Sequence, residues 1–250
     1  MSALRAVVTG ASSGMGRETV RQLRDQGWDV VAVARREEAL TELARETGCD
    51  VVVADMTSDE SVAAMAEKVL AGGPVNSLVA NAGAAYGQDQ VEDADVDDWA
   101  GMFDLNVLGV VRCVKALLPA LEESGRGDIV VMSSTAGHIA YEGGGGYVAS
   151  KHGAHSVAAT LRLELAGRPV RVIEIAPGMV ATDEFSRKRL GSQEAADRVY
   201  AGVERPLTAA DCADAVVWTL TRPHHVNVDL MVLRPIAQAA QHKVARNQGL

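Results

Sequence analysis

The stretch Leu4-Arg5-Ala6-Val7-Val8-Thr9-Gly10-Ala11-Ser12-Ser13-Gly14-Met15-Gly16 decides the fold. A short apolar run, Leu4–Thr9, ends in a glycine-rich turn, and the turn opens a segment with helical spacing, Gly14–Gln26. A strand that feeds a helix through such a turn is the first unit of a parallel α/β sheet. The glycines are spaced G-x-x-x-G-x-G (Gly10, Gly14, Gly16). They allow a tight turn and let backbone N–H groups approach a pyrophosphate at a helix N-terminus. Thr9, Ser12 and Ser13 can add hydroxyl hydrogen bonds. The alternative is a turn that only packs strand on helix.

Outward from this unit, strand-like runs alternate with helical patterns: Asp29–Ala34, Asp50–Ala54, Ser77–Ala80, Asp128–Ser133, Val170–Ala176 and Val228–Leu233. Between them, helical spacing covers Glu37–Thr47, Ser58–Leu70, Val96–Glu123, Gly146–Ala166 and Thr208–Thr221. Gly27, Gly48 and Gly167 stand where helix C-caps are expected. The pattern predicts a Rossmann-type, doubly wound parallel sheet of about seven strands in one domain over residues 1–250. Met179–Pro206 is polar, follows the sixth strand and falls beyond the carboxyl ends of the strands, where ligands bind. It is expected to cover the substrate; an ordinary surface helix pair is the alternative.

Composition narrows the function. Hydrophobic residues make up 48% of the 250, enough for one core, and aromatics only 4%, which suits Val-rich strands under Ala- and Leu-rich helices. The net charge of −9 and the lack of a Lys/Arg block argue against a nucleic-acid partner. Cys49, Cys113 and Cys212 are far apart, so neither disulfides nor a zinc site is expected, and free thiols fit a reducing compartment. No apolar run reaches membrane-spanning length, and with the first strand beginning by Leu4 no signal peptide is expected. A cytoplasmic protein is the expectation.

Tyr147 and Lys151 carry the chemistry. Four residues apart, they stack on one helix face, and an ammonium beside a phenol is expected to lower the phenol pKa towards acid/base range. Ser134 precedes Tyr147 by thirteen residues and can hydrogen-bond a reacting oxygen. At the end of the second strand, Ala34 stands where an NAD enzyme places an acid, followed by Arg35 and Arg36. A small residue and guanidinium groups suit a 2′-phosphate, which predicts NADP, with Arg35 preferred and Arg36 free to cap the next helix.

Other residues stay open. His138 and Tyr141 could line the substrate pocket or pack the loop, and Gly143–Gly146 could permit close approach to a ligand. His152 with His155, and His224 with His225, lack a nearby carboxylate or Cys, so no metal site is expected. Arg187 or Arg189 could grip a substrate carboxylate, or Arg187-Lys188-Arg189 could be a solvated helix face.

Taken together these motifs resemble the short-chain dehydrogenases/reductases over essentially the whole chain. Thr9-Gly10-x-x-x-Gly14-x-Gly16 is similar to the family's cofactor loop, and Asp55 to its adenine contact. Asn81-Ala82-Gly83 matches its N-N-A-G signature except that Ala80 replaces the first Asn. Asn106, Ser134, Tyr147 and Lys151 match its catalytic tetrad, and Pro177-Gly178 with Thr182 the segment meeting the nicotinamide. Met15, Met56 and Val180, beside these motifs, join the expected cofactor-binding set. The likeness implies that Tyr147 donates a proton, Lys151 also holds the nicotinamide ribose, and Asn106 anchors a water leading from Lys151 to solvent. Glu184-Phe185-Ser186, Trp218, Pro223–Val228 and Arg234-Pro235 resemble the NADP-dependent 3-hydroxy acid (serine-type) branch. The implied activity is oxidation of a 3-hydroxy acid; alternatives are reduction of a bulkier aldehyde or ketone, and a non-catalytic NADPH-sensing regulator. The family also implies a homotetramer built on the long helices and last strand.

Overall fold

Runs of Val and Ala without polar alternation can be buried on both faces only where helices cover both sides of a parallel sheet. The computed structural model, which describes residues 3–182 and 184–247 apart from the side chain of Lys188, has this architecture. Its strands are β1 (Arg5–Thr9), β2 (Asp29–Ala34), β3 (Asp50–Val53), β4 (Ser77–Ala80), β5 (Gly127–Met132), β6 (Val170–Pro177) and β7 (Leu230–Leu233). They form one seven-stranded sheet in the order β3-β2-β1-β4-β5-β6-β7, parallel at every pairing. β1, β4, β5 and β6 are buried throughout, whereas the edge strands β3 and β7 are partly exposed. The expected fold class is the observed one. Residues 1, 2, 183 and 248–250 of the expected domain lie outside the described residues.

Helices α1 (Gly14–Asp25), α2 (Glu37–Thr47) and α9 (Ala209–Leu220) cover one face of the sheet. Helices α3 (Asp59–Ala71), α5 (Gly109–Glu123) and α6 (Gly145–Glu164) cover the other. α9 opens on a capping box in which Thr208 Oγ1 accepts from Asp211 N at 3.2 Å and Asp211 Oδ2 accepts from Thr208 N at 2.7 Å. Gly48, at φ 69°, ends α2 in the left-handed conformation expected of it.

The single helix expected over Val96–Glu123 is broken. Helix α4 (Val96–Phe103) passes through a wide π turn at Asp104–Leu108 before α5 begins. The extra residue in that turn swings Asn106 inward, where its amide is consumed. Oδ1 accepts from Ala84 N at 2.8 Å, and Nδ2 donates to Ala84 O at 2.8 Å and Ser150 Oγ at 2.9 Å. β7 also starts later than expected, because the Asn227 side chain takes over pairing with Val172, accepting from its N at 2.9 Å and donating to its O at 3.0 Å.

After β6 the chain forms two short helices, α7 (Phe185–Leu190) and α8 (Gln193–Tyr200). Their base is closed by Ala181 N donating to Leu207 O at 2.7 Å and Leu207 N to Met179 O at 3.0 Å. β1 lies between β2 and β4, so the sheet order reverses there and a crevice opens beyond the strands' carboxyl ends.

Candidate active site

A cavity of about 1180 Å³ fills that crevice. Of the residues expected to bind cofactor, all but Thr9, Gly16 and Lys151 line it, and Ser134 lines it too. Thr9 and Gly16 shape the wall from behind. Thr9 Oγ1 accepts from Asn81 N and Ala82 N, both at 3.1 Å, while Asn81 Nδ2 donates to Thr9 O at 2.9 Å. This stitches the first turn to the end of β4. Gly16 is required because a Cβ there would collide with the Gly10 carbonyl and the Asn81 amide. Gly10 and Gly14 are needed for another reason, their φ of 67° and 54°. α1 has no side-chain cap and no acidic residue in its first turn, so its positive N-terminal pole is left for an anion. A pyrophosphate fits this cradle.

Arg36 and Arg35 divide the adjoining rim. Arg36 Nη2 donates to Ser12 Oγ at 3.0 Å and Ser13 Oγ at 2.8 Å, and its Nη1 meets Glu184 Oε1 at 2.6 Å. Arg35 is more exposed, with Nη1 at 3.9 Å from Asp55 Oδ2. Arg36 is the first residue before α2, yet its side chain does not cap that helix. The hydroxyls of the glycine turn attract it instead.

At the centre, Tyr147, Lys151 and Ser134 come together from α6 and the turn after β5. Lys151 Nζ donates to Met132 O at 2.8 Å and stands 5.8 Å from the Tyr147 ring centroid. Ser134 Oγ donates to Pro177 O at 3.3 Å and accepts from Ala136 N at 3.1 Å. The expected lowering of the Tyr147 pKa by Lys151 is not found. Burial dominates and pushes the phenol up to about 12, against the nearby Ser134 hydroxyl and Arg189 charge. Burial likewise pushes the Lys151 ammonium down to about 8, opposed by the negative charge of Glu174. With its ammonium turned to the Met132 carbonyl, Lys151 leaves Tyr147 a neutral acid at neutral pH.

The segment after β6 closes over this cluster. Phe185 packs edge-on against Tyr147, ring centroids 5.8 Å apart, and one turn later the Arg189 guanidinium lies 5.5 Å from the same ring. Arg189 is held by Gly87 O at 3.0 Å, Tyr141 Oη at 3.1 Å and Gly143 O at 3.2 Å, one bond from each of its three nitrogens. A guanidinium carries five N–H donors. Five less three leaves two among the described residues, one on each terminal nitrogen, and Arg189 lines the cavity.

Sequence comparison agrees with this geometry: residues 5–193 match the family model for short chain dehydrogenase. The chain belongs to the short-chain dehydrogenases. It is 50% identical over 241 residues to an uncharacterized oxidoreductase of Mycobacterium tuberculosis (strain H37Rv), covering 96% of this chain and 94% of that one. It is 39% identical over 239 residues to sulfoacetaldehyde reductase 2 of Chromohalobacter salexigens, covering 93% and 94%. Among solved structures it is similar to the closed form of serine dehydrogenase complexed with NADP+, with a TM-score of 0.89, 35% identity, and coverage of 98% and 100%.

Several residues of this dehydrogenase sit otherwise than expected. His138 turns away from the cavity to Glu174, leaving Tyr141 at the wall. Gly143 lines the cavity, whereas Gly144–Gly146 serve tight protein packing: a Cβ on Gly145 would press on the Trp99 ring at 2.6 Å, and one on Gly144 would strike the Tyr141 ring. Arg187 is exposed. Asp183 and the side chain of Lys188, both in the expected covering segment, lie outside the described residues. His155 does have a carboxylate neighbour, Glu174, brought from β6, whereas His152 Nδ1 lies 2.9 Å from the Val148 carbonyl of its own helix. His224 Nε2 approaches Gly127 O at 3.1 Å. Sequence reasoning overlooked Gln238 and Gln241 at the cavity wall. Gln238 Oε1 accepts from Met179 N at 2.8 Å, and Gln241 Oε1 accepts from Thr135 Oγ1 at 2.8 Å. Nothing in the local pattern marks these two tail residues.

Proposed function

We propose that this dehydrogenase is an NADP-dependent oxidoreductase that interconverts a small acid-bearing alcohol, a 3-hydroxy acid or its analogue, with the corresponding carbonyl. The observation that carries the reading is Arg189: a cation at the cavity wall beside Tyr147, with one N–H on each terminal nitrogen that takes no partner among the described residues. Two parallel donors match a carboxylate or sulfonate. The relatives named for serine and for sulfoacetaldehyde each act, by name, on a short chain bearing such a group. Arg187, which is exposed, takes no part. A bulkier neutral aldehyde would leave this cation unpaired in a desolvated site.

When bound, NADPH supplies a hydride to the carbonyl carbon. Tyr147 gives its proton to the developing alkoxide, for which a phenol that remains protonated is the correct starting state. Ser134 would hold the same oxygen, and Lys151, now bonded to Met132 O, would turn to hold the nicotinamide ribose. Asn106 acts through structure, since its amide ties the chain at Ala84 to α6 at Ser150. Thr9, Gly10, Gly14 and Gly16 form the pyrophosphate cradle, with Ser12, Ser13 and Met15 on its rim. Arg35 and Arg36 would receive the 2′-phosphate, Arg36 in exchange for its present contact with Glu184. Asp55 and Met56 would flank the adenine, Asn81, Ala82 and Gly83 the middle of the cofactor, and Pro177, Gly178, Val180 and Thr182 the nicotinamide, since all of them line the cavity.

The segment from Met179 to Pro206 covers the substrate, a reading supported by Phe185 and Arg189 against Tyr147. We infer a homotetramer from apolar side chains left exposed on α4, the π turn, α6 and β7, among them Phe103, Leu108, Leu163 and Val232. Three free, buried cysteines support a cytoplasmic location, and no helix among the described residues is long and apolar enough to cross a membrane. The test of function is NADPH-linked absorbance with purified protein. L-serine, 3-hydroxypropionate and 3-hydroxyisobutyrate with NADP+, and sulfoacetaldehyde and neutral aldehydes with NADPH, form the panel. Turnover of acid-bearing substrates supports the assignment; turnover confined to neutral carbonyls removes it.

A further inference from the structure

Behind Lys151, away from the cavity, three side chains of ligand type meet from three elements. Glu174, in the middle of β6, is fully buried. Its Oε1 is 3.0 Å from His138 Nε2 and its Oε2 2.7 Å from His155 Nδ1. The two imidazole rings lie edge to face, centroids 4.4 Å apart, and the ligand atoms of all three residues fall within 4.8 Å of one another. His138 closes the short turn that begins at Ser134, and His155 stands one helical turn beyond Lys151 on α6. Among the described residues no Lys or Arg side chain pairs with Glu174 at ion-pair distance; its salt-bridge partners are the two imidazoles.

We propose that His138, His155 and Glu174 form a binding site for a divalent transition cation, zinc by the chemistry of the donors. Two imidazole nitrogens and one carboxylate are a donor set of open, three-ligand zinc sites, whose fourth position takes water. Imidazole suits zinc, copper or nickel, whereas magnesium and calcium require oxygen ligands. The geometry is close to what the ion needs. Tetrahedral ligands roughly 2.0–2.1 Å from zinc stand about 3.3 Å apart; the two imidazole nitrogens now meet different oxygens of Glu174 at 3.0 and 2.7 Å, and with ligand atoms up to 4.8 Å apart the imidazoles must shift by about 1.5 Å at most to share one ion. The imidazoles can supply this movement because they are partly exposed, with 22% and 36% of their side-chain surface accessible, and that exposure also gives the ion its way in. Each neutral imidazole would bind the ion through the nitrogen that now faces Glu174, its single N–H moving to the other ring nitrogen, and the divalent charge would meet a carboxylate that among the described residues has no Lys or Arg within ion-pair reach. The bound ion ties the Ser134 turn, α6 and β6 together, and it binds the folded chain alone, so it stabilises the fold.

The experiment uses the full chain stripped of metal, titrated with Zn²⁺ in competition with a chromophoric chelator, alongside melting curves. The wild type binds one equivalent and its Tm rises with zinc concentration, while Mg²⁺ at the same concentrations leaves Tm unmoved. His155→Ala and His138→Ala each weaken that equivalent at least tenfold and abolish the zinc-dependent Tm shift. His152→Ala, which changes a histidine outside the cluster, keeps both. Circular dichroism and NADPH binding confirm that each variant is folded. Absence of a stoichiometric equivalent in the wild type overturns the proposal. So does unaltered affinity in both His155→Ala and His138→Ala, or an equal response to magnesium.

Discussion

Arg189→Ala gives the sharpest consequence of the proposed pocket. In the wild type, three of five N–H donors hold Gly87, Tyr141 and Gly143, which leaves two among the described residues on a side chain that lines the cavity beside Tyr147. A pair of charge-assisted hydrogen bonds to a substrate anion contributes about 1.5–3 kcal/mol. Its removal lowers kcat/KM for an acid-bearing substrate about 10- to 150-fold, at 1.4 kcal/mol per factor of ten. The variant also releases the Gly87 and Gly143 loops, and that loss falls on every substrate alike. The ratio of kcat/KM for an acid-bearing aldehyde to that for a neutral aldehyde of equal length isolates the anion term. Steady-state NADPH oxidation with both aldehydes, at saturating NADPH, measures the ratio in wild type and variant. The ratio falls at least tenfold if Arg189 grips the acid. Arg189→Lys restores it only in part, because an ammonium is a point charge without the planar fork. An unchanged ratio refutes the reasoning and leaves Arg189 as a strut for the loops.

Three more outcomes follow from the site. Lys151 holds fewer protons folded than unfolded between its lowered pKa of about 8 and the ordinary 10.5, so stability relative to Lys151→Met rises with pH across that window. The rise amounts to about 3 kcal/mol, measured by urea melts at successive pH values; a fall, or a flat difference, contradicts the burial of a charged Lys151. Arg35→Asp lowers the preference for NADP over NAD at least tenfold, by losing a guanidinium and adding a charge that repels the 2′-phosphate; ratios of kcat/KM for the two cofactors test this, and no change removes Arg35 from the phosphate site. Gly16→Ala drives a methyl into the Gly10 carbonyl and Asn81 amide, so it weakens NADPH fluorescence binding at least tenfold with only a modest fall in Tm; unaltered binding shows that the turn tolerates a wider path.

What could be read in the chain beforehand divides along physical lines. Hydrophobic patterning marks buried strands directly, and each of the seven was visible within one or two residues of its final bounds. The glycine turn was legible because its conformation requires glycine itself at Gly10 and Gly14. Tyr147 and Lys151 were legible because helical spacing alone stacks them. The π turn at Asp104–Leu108 left no periodic signal, since one extra residue in a long helix shifts the pattern by less than its noise. Neither could spacing choose between Arg187 and Arg189: α7 is only six residues long, and which side faces Tyr147 depends on how it docks. The net shift of Tyr147 runs opposite to the expectation because burial, which spacing in sequence does not reveal, outweighs the charges around the phenol. His155 and Glu174 lie nineteen positions apart on different elements, and only the packing of α6 on β6 brings them together.

The central claim is that Tyr147 delivers the proton in a reaction for which the rest of the cleft binds the cofactor. Tyr147→Phe tests it most directly, by NADPH fluorescence titration and turnover of the best substrate on the same preparation. The account predicts NADPH affinity within a few-fold of wild type and turnover reduced at least a thousandfold, the order of a lost general acid. Turnover within tenfold of wild type, with NADPH still bound, would contradict it.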